Sequence, residues 1–115
     1  MELLNMIKLY HWKTHSFSQH KATDELHERL SNNIDKFVEV WLGKTGSRIK
    51  LTEKRIQLLD FTNVEDFKDR IFEYREFLID LNTHFDKNRD SDLLNIRDEI
   101  LGDLNQFLYL LTFDK

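Results

Sequence analysis

Cysteine and proline are absent from this 115-residue chain, and glycine occurs only three times. Without cysteine there is no disulfide, no thiolate metal site and no thiol nucleophile, which fits a reducing compartment. A zinc pattern of Cys and His is excluded with it. The one glycine-containing stretch that resembles a phosphate loop, GKTGS at 43–47, lacks both the four-residue spacer and a preceding strand. No Ser, His and carboxylate arrangement with a nucleophile motif is present. Long apolar runs are missing too: none approaches the roughly 18 residues that would span a bilayer. The opening MELLNMIKLYHW carries an acid at position 2 and no small-residue cleavage site, so it does not read as a signal peptide. The expectation is a soluble, cytoplasmic protein. Basic excess is lacking as well. The formal net charge is −4, so the chain has no general attraction to phosphate backbones. One local run, Lys44, Arg48, Lys50, Lys54 and Arg55, reads as a solvated loop with scattered charges.

What is present suits helices. Charged residues make up 33% of the chain and hydrophobic ones 40%, with nine Phe, three Tyr and two Trp to build a core. The length favours a single domain over residues 1–115. Apolar periodicity predicts four helical segments. The first, about Glu2 to Thr14, places Leu3, Met6 or Ile7, and Tyr10 on one face. Ser16 or Ser18 caps the second, which runs to about Leu42 with Gly43 as its stop. Its apolar stripe is Leu26, Leu30, Ile34, Phe37 or Val38, and Trp41. Residues 43–62 lose the pattern and read as a crossover, either extended or a short helix. Asn63 is suited to cap a third helix carrying Val64, Phe67, Ile71, Tyr74, Leu78, Leu81 and Phe85 to about Asp86. The fourth, about Ser91 to Thr112, uses Leu94, Leu101, Leu104, Leu108 and Leu111. Two helices, a long crossover and two more helices predict an all-α, ferritin-like four-helix bundle with one long connection between helices 2 and 3.

Four polar residues stand out: His11, His20, Asp35 and Glu39. Two imidazoles and two carboxylates are the donor set that oxygen chemistry on iron tends to use. In one continuous helix His20 and Asp35 would lie roughly 22 Å apart at about 1.5 Å per residue, too far to share a metal within one chain. A second, antiparallel copy would bring the His end of one helix onto the carboxylate end of the other. The spacing therefore points to a metal site shared across a twofold homodimer. Each residue also has a plainer account. His11 beside Trp12 can be a half-buried pair at a helix end, and Asp35 with Glu39 can be two surface acids. His27 shares a face with His20, with Asp24 between them, which reads as a solvent-facing stripe before it reads as a second metal site. His15 sits in the turn, where a shifted register would let it replace a ligand. The Asp24-x-x-His27 spacing is the nearest relative of a di-iron Glu-x-x-His motif, but no partner motif follows on a later helix.

The triplet Tyr10-His11-Trp12, the interval from His20 to Asp35 and the step from Asp35 to Glu39 resemble the mini-ferritins known as DNA-binding proteins from starved cells (Dps). Asp92-Leu93-Leu94 followed by Arg97 is similar to the opening of that family's last helix. FSQHKATDEL followed by IDKFVEV looks most like the short Dps-like proteins of large DNA viruses and phages. The motif region covers about a quarter of the chain. The resemblance implies a ferritin-like fold and Fe(II) oxidation by peroxide or oxygen between two subunits. It places His11 and His20 on one subunit, with Asp35 bridging or orienting and Glu39 as the principal carboxylate ligand on its partner. Trp12 would line the site and serve as a sacrificial electron donor. Iron storage in a dodecameric shell would follow if the subunits close into one. The His11 to His20 gap is shorter than the family's usual one, and no lysine-rich tail precedes the first helix, so DNA binding is not carried over. The competing expectation is a non-catalytic structural or interaction protein, such as a virion or phage component, on the same bundle.

Overall fold

The computed structural model describes residues 2–46 and 64–113. The ordered elements are α1 (Glu2–Lys13), α2 (Phe17–Thr45), α3 (Val64–Asp80), a single 3₁₀ turn (Leu81–Thr83) and α4 (Ser91–Leu110), with no strand among the described residues. The crossover expected over residues 43–62 and the Asn63 cap lie outside the described residues from position 47 onward, as does most of the Lys44 to Arg55 run.

Local chemistry explains the helix ends. Ser16 adopts an extended backbone and its hydroxyl accepts from the Gln19 N–H, which starts α2. At the other end α2 passes through Gly43 and stops at Gly46, whose φ of +67° is the left-handed conformation that favours glycine. The expected stop at Gly43 is thus corrected by one turn: glycine inside a helix is tolerated, and the left-handed cap is what ends it. The third helix also ends earlier than expected, at Asp80 rather than Asp86. Two interactions there draw off its last acceptors. The Arg97 guanidinium donates to the Leu78 carbonyl at 2.8 Å, and the Thr83 hydroxyl donates to the Asp80 carbonyl at 2.7 Å.

Cross-helix contacts set the directions. Along the α2–α4 seam, Lys44 meets Asp92, Arg29 meets Gln106, and the Ser18 hydroxyl donates to the Phe113 carbonyl. Rising numbers on one helix meet falling numbers on the other, so the pair is antiparallel. Between α3 and α4, Arg97 reaches Leu78, Arg75 reaches Asn105, and the Phe67 and Phe107 rings meet edge to face. That pair is antiparallel as well. It follows that α2 and α3 run parallel to each other.

The core forms where the four apolar faces meet. Met6, Ile7, Leu30, Phe67, Ile71 and Leu104 are fully buried in it. Tyr10 lies flat on Phe67 with ring centroids 4.1 Å apart, which ties α1 to α3. The α1 and α3 faces agree with the periodicity, and so does the α2 face as far as Phe37. On α4, Leu94, Leu104 and Leu111 are buried as expected, but Leu93, Ile96, Ile100 and Phe107 are buried beside them while Leu101 and Leu108 sit half-exposed, so the buried face is wider than the leucine stripe and displaced to one side of it. Trp41, placed on the apolar stripe of α2, is 41% exposed among the described residues. With 12 residues, α1 covers less than half of the 29-residue α2. Beyond its end, an apolar cavity of about 150 Å³ is lined by Ile34, Phe37, Phe77, Leu78 and Leu81.

Candidate functional site: a histidine pair at the α1–α2 turn

The turn between α1 and α2 is closed by side chains as much as by backbone. The Gln19 carboxamide oxygen accepts from the Tyr10 hydroxyl at 2.9 Å and from the Thr14 hydroxyl at 2.7 Å. The Thr14 hydroxyl in turn accepts from the Ser16 N–H. Burial pushes the Tyr10 phenol above its ordinary pKa, with the Thr14 hydrogen bond acting weakly the other way, so Tyr10 stays a neutral donor. These bonds fix the last turn of α1 against the first turn of α2.

The arrangement brings His11 and His20 together. Their rings stack with centroids 3.8 Å apart and planes 22° apart. His11 Nδ1 lies 2.8 Å from the His20 carbonyl oxygen, and His20 Nδ1 lies 3.0 Å from the His11 carbonyl oxygen. A carbonyl only accepts, so each Nδ1 carries the proton and donates. In a neutral imidazole the lone pair then sits on Nε2. Both rings are thereby fixed with the lone pair on Nε2, the orientation that a bond from the other nitrogen gives an imidazole. His11 is buried at 8% exposure, while His20 opens to solvent.

The two carboxylates are elsewhere. Asp35 and Glu39 lie exposed toward the far end of α2, which is one unbroken helix from Phe17 to Thr45. The 15 positions from His20 to Asp35 therefore do correspond to roughly 22 Å. One chain assembles half of the expected ligand set. Among the described residues, no group of three or more His, Asp or Glu side chains is placed to hold a metal ion. Trp12, next to His11 in sequence, is 67% exposed with the Lys8 ammonium 5.7 Å from its ring centre. His15 is exposed in the turn. His27 is half-buried, and burial, followed by the nearby Lys8 charge, lowers its pKa.

Sequence reasoning missed Thr23. It is fully buried, and its hydroxyl oxygen lies 3.0 Å from His11 Nδ1. Its position three residues after His20, on the inner face, was the available signal. Also missed was the extent of the burial of Arg97, whose guanidinium reaches Asp98, Leu78 and Asn82 and pins α4 to the end of α3.

Residues 11–111 match the profile of a protein family described as a family of unknown function (DUF5856). The chain belongs to this family. The matched span takes in the stacked pair and both carboxylates of this DUF5856 member. No curated protein and no solved structure matches it. No helix among its described residues is long and apolar enough to cross a membrane.

Proposed function

We propose that this DUF5856 chain is a Dps-like iron-oxidising protein whose metal site is shared across a homodimer. His11 and His20 of one subunit and Asp35 and Glu39 of the other supply the ligands. The observation that carries the reading is the stacked imidazole pair, with each Nδ1 bonded to the other residue's carbonyl and each Nε2 left for a ligand. A tautomer fixed by a bond from the other ring nitrogen, on both histidines, is what a two-histidine half-site uses. The second half is carried on the same rigid helix, at the distance a twofold antiparallel pairing would exploit.

The donor set suits iron as substrate. Neutral imidazole accepts Fe(II), carboxylate charge favours Fe(III), and four ligands leave positions for peroxide or oxygen. Trp12, exposed and next to His11 in sequence, would be the sacrificial electron donor in this reading. The parallel course of α2 and α3 supports a ferritin-like topology, because parallel neighbours need a connection that returns along the bundle. Assembly beyond the dimer, up to a dodecameric shell with stored ferric oxide, belongs to the same proposal. The negative net charge opposes DNA binding.

Anaerobic titration of the metal-free protein with Fe(II), followed by peroxide, tests it. Saturation at about two sites per dimer is expected, since a twofold repeats each site, with oxidation faster than in buffer. Oxidation at the protein-free rate would remove the catalytic reading. A second reading, a non-catalytic interaction protein, draws on the exposed aromatics Trp12, Phe17, Phe77 and Tyr109. It would stand if iron is not bound.

A further inference from the structure

We infer that Thr23 is a positioning residue that holds His11 in the metal-ready tautomer. The inference rests on the iron-site reading for its purpose but on Thr23's own bonds for its argument. The Thr23 hydroxyl oxygen lies 2.8 Å from the Gln19 carbonyl oxygen and 2.9 Å from the His20 carbonyl oxygen. A hydroxyl has one proton, and neither carbonyl can supply another. His11 Nδ1 lies 2.8 Å from the His20 carbonyl, which only accepts, so Nδ1 carries its own proton and the Thr23 proton turns to one of the two carbonyls. Toward His11 Nδ1, 3.0 Å away, the same oxygen can only accept. His11 Nδ1 thus faces two acceptors, the Thr23 hydroxyl and the His20 carbonyl, and no donor. The carbonyl requires the proton at Nδ1, the Thr23 oxygen adds a second acceptor that holds it there, and the lone pair falls to Nε2.

The environment strengthens the constraint. Thr23 is fully buried and His11 nearly so, which shields the contact between them from solvent. His20 shares the arrangement indirectly. Its own carbonyl is the atom on which both the Thr23 hydroxyl and the His11 ring converge. Its ring is stacked on His11 and bonded back to the His11 carbonyl. One hydroxyl therefore adds a second acceptor to the protonated Nδ1 of the first ring and a bond to the carbonyl that seats it. A threonine that back-bonds the preceding turn of its own helix for stability alone would not supply that acceptor.

Replacing Thr23 by Val puts a methyl where the oxygen sits 3.0 Å from Nδ1, inside the roughly 3.5 Å at which carbon makes its best contact. The ring must shift, and Nδ1 loses an acceptor. Thr23→Ser keeps the oxygen. The test reads the protonation site directly, by long-range ¹H–¹⁵N NMR of the His11 and His20 rings in metal-free protein near pH 7.5. It also reads Zn(II) affinity by calorimetry, zinc being a redox-inert probe. The wild-type protein is expected to show Nδ1–H on both rings. Thr23→Val should show a mixed His11 tautomer and roughly tenfold weaker Zn(II) binding, the low end of what outer partners of metal-binding histidines contribute. Thr23→Ser should restore both. Nδ1–H rings in Thr23→Val with unchanged Zn(II) affinity would overturn the inference, as would an Nε2–H His11 in the wild-type protein, a result that needs no variant to fold. Zn(II) binding absent in wild type, with the tautomer shifting as described, would reject the metal site while leaving the positioning role standing.

Discussion

Gly43 and Gly46 sit three residues apart and are expected to respond to alanine with opposite signs. Gly43 lies inside α2, and a methyl group added there meets nothing within 4 Å. Alanine loses less backbone entropy than glycine on folding into a helix, which is worth about 0.5–1 kcal/mol. Gly46 also has open space around it, but its φ of +67° forces an L-residue into the left-handed region, at a cost of about 1–2 kcal/mol. With a urea slope of about 2 kcal/mol per molar for a domain of this size, Gly43→Ala should raise the unfolding midpoint by roughly 0.3–0.5 M. Gly46→Ala should lower it by roughly 0.5–1 M on the same slope. Urea unfolding followed by circular dichroism at 222 nm measures both. The contrast bears on function because it locates the end of the helix that carries Asp35 and Glu39. If Gly43→Ala destabilises as much as Gly46→Ala, α2 ends at Gly43 and the account of its last turn is refuted.

Arg97→Met removes the guanidinium that bonds the Leu78 carbonyl and Asn82 and leaves those acceptors without it. Hydrogen bonds to a charged donor are worth about 1.5–3 kcal/mol each before relaxation, so a loss of about 2–3 kcal/mol is expected in urea unfolding. A loss under 0.5 kcal/mol would contradict its role in ending α3. Glu2 predicts a pH dependence. The Tyr74 hydroxyl, then the Arg70 guanidinium, hold its carboxyl below the ordinary value of 4.5. A depressed carboxylate stabilises the fold above its unfolded pKa and loses that contribution as pH falls through the folded one. The stability gap between wild type and Glu2→Gln should therefore be full at pH 6 and shrink below about 4.5, measured by urea midpoints across that range. A gap that widens on acidification would reverse the sign and reject the Glu2–Arg70–Tyr74 contact.

Periodicity made the four helices legible because each apolar face is regular, and Ser16 announced its helix by an ordinary cap. The faces of α1 and α3, and of α2 up to Phe37, followed from that regularity. The ends of α2 and α3 did not, since they depend on which residue turns left-handed and on a guanidinium arriving from α4. The α4 face was legible in part: Leu94, Leu104 and Leu111 are buried as their spacing implies, but its apolar residues recur at steps that fit two adjacent faces, and packing buries Ile96 and Ile100 while leaving Leu101 and Leu108 half-exposed. Of the four candidate ligands, the spacing of His20, Asp35 and Glu39 along one helix was readable from residue numbers. The stacking of His11 on His20 was not. It depends on the tight turn at Thr14–Ser16, on Gln19 accepting two hydroxyls, and on Thr23, a residue that looks like any buried threonine until the ring beside it is seen.

The shared site is tested most directly by subunit complementation. A His11→Ala/His20→Ala chain keeps only the carboxylates, and an Asp35→Ala/Glu39→Ala chain keeps only the imidazoles. Each should fold by circular dichroism and oxidise Fe(II) no faster than buffer. Mixing them with subunit exchange should restore oxidation, because every heterodimer regains one whole site while its second site loses all four ligands. If both variants are folded and exchange, and the mixture stays inactive, the site shared between two copies of this chain does not exist.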